Sequence, residues 1–184
     1  MSPAMATAPG QHVLGPDDGT VAVRTHRTGA AAKAGHDLLL HAASWRGEVE
    51  VGEDGVPVAF VLEVDTASFT VIEGTGGIQA LGDDDRASIV ETIDDEILKR
   101  TAISFRSTAV EQTAPSSFRV HGDLTLAGET RPLAVDVTLD GGSLHAAAQV
   151  VQTSFGIKPY STLFGALKVA DDVAVTIDAT LPKS

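Results

Sequence analysis

Two histidines, His36 and His41, stand in the string GHDLLLH and are the first candidates for chemistry. A neutral imidazole can ligate a metal or carry a proton. Their spacing of five is odd, so an extended strand sends the two rings to opposite faces. The chain holds neither an HExxH pair nor any cysteine. No metal centre is expected. His36 stands where a loop enters a strand, and it is expected to bond locally or to touch a ligand headgroup. His121 and Asp136 are expected as an outward-facing pair.

The carboxylates lead to no better candidate. Asp83 to Asp85, Asp94–Asp95 and Asp171–Asp172 are neighbours in sequence. Adjacent carboxylates do not converge on one substrate atom, and they read as a helix start, a solvated helix face and a turn. The glycine-rich GTGG at 74–77 lacks the Gly-Lys-Ser/Thr of a phosphate loop and reads as flexible loop. A G-x-S-x-G elbow is also missing. No catalytic residue is expected, and the chain reads as a non-enzyme without a cofactor.

Bulk properties narrow the partners. The 184 residues suffice for one domain with a real core, and 43% of them are apolar. The formal net charge of −12 argues against nucleic acid and against docking on anionic lipid. No apolar run approaches the roughly 18 residues of an integral membrane segment. The opening MSPAMATAPGQHVLGPDDG has no basic region and no apolar stretch of signal-peptide kind, so a cytoplasmic location is expected. Residues 1–15 are expected as a flexible lead and 16–184 as a single domain.

Most of the chain alternates as strands do. Residues 20–28, 38–51, 56–65, 101–110, 143–152 and 171–181 read as strands. Residues 67–82, with Gly74, Gly76, Gly77 and Gly82, read as loop. The period then changes: Ile89, Ile93 and Ile97, flanked by Val90 and Leu98, predict one amphipathic helix of about four turns over 83–100. Without βαβ alternation a parallel sheet is not expected.

The string FRVHGDLTLAGETRPLAVDVTL at 118–139 predicts a hairpin. A type II′ turn with Gly128 in its first central position pairs Leu124 with Leu133, Gly122 with Val135, Val120 with Val137 and Phe118 with Leu139. The turn at Gly141-Gly142 adds a third strand, pairing Leu139 with Leu144 and Val137 with Ala146. One face of this meander is apolar throughout and small in the middle, at Gly122, Val135, Ala146 and Ala148. The predicted fold is all-β, an antiparallel up-and-down barrel of about eight strands with one accessory helix. A barrel of that size is either just filled or holds one small ligand. Small inward residues favour a cavity, expected to be lined by Leu38, Leu40, Phe60, Leu62, Val64, Ile103, Phe105, Phe118, Val120, Gly122, Val135, Val137, Ala146 and Ala148. The connection 153–170 carries Phe155, Tyr160 and Phe164, and it reads as a plug or a portal at one end; Phe155 and Phe164 join the candidate ligand contacts.

The same strings resemble a known family. FRVHGDLTLAGETRPLAVDVTL is similar to the Gly-Asp-Leu-Thr hairpin of YceI-like proteins. ISFRSTAV at 103–110, SFGIK at 154–158 and RTGAAAKAGHDLLLHAASWRGEV at 27–49 resemble further segments of that family. The resemblance spans about residues 12–181. It implies a lipocalin-like barrel whose deep apolar cavity binds a prenyl-type lipid, a polyisoprenoid or an isoprenoid quinone, and it makes a homodimer possible. The family's Arg-Asp-x-x-Leu-x-x-x-x-Phe-Phe helix segment is replaced here by 83–98. Two other readings stay open at this stage: a filled barrel acting as an interaction or stress-related module, and a barrel hydrolase or isomerase.

Overall fold

Alternation of branched apolar and polar residues makes strands of most of this chain. The computed structural model describes residues 7–29, 36–77, 81–162 and 167–181. Strands β1 (Gly10–Leu14), β2 (Gly19–Thr25) and the short β3 (Arg27–Thr28) come first. A long hairpin follows: β4 (Asp37–Ala42) and β5 (Trp45–Val51) run out, and β6 (Pro57–Val64) and β7 (Phe69–Thr75) return. After helix α1 (Asp83–Thr92) comes a meander of β8 (Ile103–Ala114), β9 (Ser117–Leu126), β10 (Glu129–Asp140) and β11 (Ser143–Val151). The short β12 (Ser161–Thr162), β13 (Leu167–Val169) and the long β14 (Asp172–Thr180) complete the described elements.

Eleven strands form one antiparallel sheet in the order β1-β5-β6-β8-β9-β10-β11-β14-β2-β4-β7, which curls into a half-barrel. Strands β12, β13 and β3 form a small second sheet. The expectation of about eight strands is therefore corrected. Strand β1 comes from the stretch expected as a lead. Strand β7 comes from the stretch expected as loop, where Phe69 and Val71 point inward and are buried. The third extra strand arises because 38–51 breaks at residues 43–44.

That break shapes the molecule. Strand β5 pairs with β6 on one flank of the sheet, and β4 pairs with β7 on the other. The bend is stitched across the two arms of the hairpin: Ala43 N–H donates to Ser68 O at 2.9 Å, and Asp65 N–H donates to Ser44 O at 3.1 Å. One bent hairpin thus carries the sheet around from flank to flank.

The helix is shorter and less regular than its pattern. After α1 the chain forms a π-helical turn, Ile93–Ile97. It leaves through Lys99 and Arg100, both left-handed at φ 54° and 55°. Residues four apart drift by about 40° per step in an α-helix, and a wider π turn drifts the other way. The combination keeps Ile89, Ile93 and Ile97 on one face. Arg86 Nη1 donates to the carbonyls of Val71 at 3.0 Å and Ile72 at 3.4 Å, covering part of edge strand β7. At the other end the Thr66 hydroxyl donates to Asp94 at 2.7 Å.

The meander keeps its predicted face but not all of its register. Ala127 and Gly128 are both left-handed, at φ 52° and 81°, and Leu126 pairs with Glu129. This is a two-residue type I′ turn rather than a type II′ turn starting at Gly128. Every β9–β10 pair shifts by two residues: Gly122 meets Leu133, Val120 meets Val135 and Phe118 meets Val137. Because side chains alternate with period two, a shift of two preserves the inward face. The outward pair changes with it: Arg119 faces Asp136, while His121 faces Ala134 and lies 3.7 Å from Glu111. The turn at Gly141-Gly142 and the pairs Val137–Ala146 and Leu139–Leu144 stand as predicted.

Candidate ligand cavity

Each long strand sends alternate side chains into the space the sheet encloses. In β5 these are Trp45, Gly47, Val49 and Val51, while Arg46, Glu48 and Glu50 face outward. Their counterparts surround a cavity of about 530 Å³, within the range of small-molecule sites. Of the predicted lining, Leu38, Leu40, Phe60, Leu62, Val64, Ile103, Phe105, Val120, Val135, Val137, Ala146 and Ala148 are on its wall. His36 is there as well.

Three predicted residues are elsewhere. Phe118 is buried in the core but not on the wall. Phe155 is buried in the 3-10 turn Gln152–Phe155, outside the cavity. Gly122 is no gap for a ligand: a Cβ there would fall 2.5 Å from Phe105 Cζ and 2.5 Å from Arg106 O. The ring of Phe105, diagonally across the β8–β9 ladder, already covers the bare backbone. Phe164 lies outside the described residues.

Sequence reasoning missed a large part of the wall. Leu14 comes from β1 and Phe69 from β7, the two strands it did not foresee. Ile89, Ile93, Ile97 and Leu98 come from the helical segment, whose apolar row is legible in the sequence but is not part of the lining expected from it. Trp45, the only tryptophan in the chain, contributes its indole.

Polar groups gather where β2 passes into β3. Arg27 Nη1 donates to Thr75 O at 3.1 Å, and the Arg27 backbone N–H donates to Asp37 Oδ1 at 2.8 Å. Gly76 and Gly77 are both left-handed, at φ 80° and 76°. A Cβ on Gly76 would fall onto the Arg27 guanidinium, and one on Gly77 would stand 2.5 Å from His36 Nε2. The GTGG stretch is thus the bare shelf on which two basic side chains rest. Tyr160, 48% exposed, and Val169 of β13 border the cavity beside them. The buried Gln152 donates to Ala170 O at 3.0 Å. Among the described residues no cluster of histidine and carboxylate side chains could hold a metal ion, and no helix is long and apolar enough to cross a membrane.

Known proteins match this architecture. BcnA of Burkholderia cenocepacia superposes with a TM-score of 0.59 at 16% identity, covering 86% of this chain and 94% of its own. The YCEI protein of Campylobacter jejuni superposes with a TM-score of 0.59 at 12% identity, covering 79% of this chain and 85% of its own. Likenesses at this identity speak for the fold. No match is found among curated proteins. The model of the YceI-like domain matches residues 23–181, nearly the whole of the curled sheet and its cavity, and the chain therefore belongs to the YceI-like family.

Proposed function

We propose that the protein binds a long apolar ligand, a polyisoprenoid or an isoprenoid quinone, non-covalently within the half-barrel, and that it is not an enzyme. The observation that carries this reading is the 530 Å³ cavity with its almost wholly apolar wall. Each CH₂ group moved from water into such a space contributes about 0.8 kcal/mol, so a chain of several isoprene units binds tightly with little polar recognition. Arg27 and His36, at one rim, supply polar contacts for a headgroup. Membership of the YceI-like family supports the choice of a prenyl chain.

The test is organic extraction of the purified protein followed by mass spectrometry. It is paired with displacement of the apolar fluorophore N-phenyl-1-naphthylamine by prenyl compounds. A reproducible prenyl species in the extract and displacement at micromolar concentrations are expected. A lipid-free extract together with no displacement would sink the reading.

A further inference from the structure

Among the described residues, one buried side-chain polar atom has no hydrogen-bond partner in the protein: the indole Nε1 of Trp45. Trp45 is only 6% exposed and belongs to the cavity wall. Buried donors are paired almost everywhere in folded proteins. Other buried polar side chains here obey that rule: His12 Nε2 meets Ala8 O at 2.7 Å, and Thr66 and Gln152 are bonded as described. The orphan is thus not a symptom of a loosely satisfied interior.

Its position is well defined. Trp45 opens β5 directly after the bend at 43–44, with Val64 as ladder partner. Its Cζ3 lies 3.5 Å from where a Cβ of Gly47 would stand. That atom is on the indole edge opposite Nε1, so the N–H faces away from Gly47. A phenylalanine would line the same wall without leaving a donor unpaired.

We infer that Trp45 is a specificity residue of the cavity: its N–H donates to an oxygen acceptor, a carbonyl or ether, carried by the apolar ligand. This rests on the binding reading above and narrows it. The ligand is an oxygen-bearing chain whose oxygen enters the apolar space, not a hydrocarbon held by its tail alone. A site with a buried donor discriminates against an analogue that leaves the donor unpaired. Nε1 is shut off from solvent, so seating the oxygen requires the indole to turn toward the space its ring already lines.

Two isoprenoids separate the alternatives. Geranylgeranylacetone carries one carbonyl acceptor and no donor; squalene carries no oxygen. In displacement of N-phenyl-1-naphthylamine, Trp45→Phe should weaken the ketone about tenfold more than it weakens squalene, the size of one hydrogen bond, since the lost ring area affects both alike. Equal changes for both ligands, or none for the ketone, would overturn the inference. A second measurement needs no variant. The wild-type protein labelled with ¹⁵N has one indole N–H resonance, which should move downfield with the ketone and not with squalene. An unmoved resonance despite measured ketone binding would overturn it as well. Should neither compound displace the fluorophore from wild type and the extract hold no lipid, the binding reading itself fails, and that result is distinct from either.

Discussion

At Gly122 a missing side chain is structural. The residue stands on the inward face of β9, and Phe105 lies over it. Gly122→Ala forces the new methyl against the Arg106 carbonyl, a backbone atom that cannot swing away. A cost of about 1–3 kcal/mol is expected, seen as a lower urea midpoint with an unchanged slope. At the rim the logic is similar but the purpose differs: Gly76 and Gly77 leave room for Arg27 and His36 beside the cavity. Composition marks all of these positions alike as glycine. Which of them serves a turn, a close approach or a shelf depends on neighbours remote in sequence.

The elements differ in how firmly they are held. Strands β8 to β11 and β14 share long ladders, whereas the helix touches the sheet through its isoleucine row and a few polar contacts. Arg86, bonded to two carbonyls of edge strand β7, is the principal clamp near its start. Arg86→Ala should raise amide exchange across 83–97 about tenfold while leaving the meander unchanged, as expected when one local unit opens more easily. Equal acceleration in β9 and β10 would mean that the helix unfolds only with the whole domain. The helix itself was legible from its four-residue spacing, because amphipathic periodicity is local. The π turn was not, since only contact with a curved wall selects it over a straight continuation. Strand β7 was hidden because glycines at its end made the whole segment look like loop.

For the whole molecule, the decisive feature is that the curled sheet leaves its interior open. Filling that space should abolish binding without unfolding the chain. Ala148 is on the wall, on a strand paired on both sides. Ala148→Phe should weaken decylubiquinone binding at least tenfold, read as loss of its quenching of Trp45 fluorescence, with a melting temperature within a few degrees of wild type. Retained quenching with unchanged affinity would place the ligand outside the cavity.

Much of this protein is determined by the sequence alone. Alternation along each strand sets which residues face inward, and it does so whatever the pairing, because a shift of two residues leaves every side chain on its own face. That is why most of the predicted wall stands even though the β9–β10 register moved. What only the tertiary structure decides is the meeting of distant parts. It brings the bend at 43–44 against 65–68, lays the helix along β7, sets Phe105 over Gly122 and buries the Trp45 N–H without an acceptor. These follow from packing between segments far apart in the chain, which no local pattern encodes.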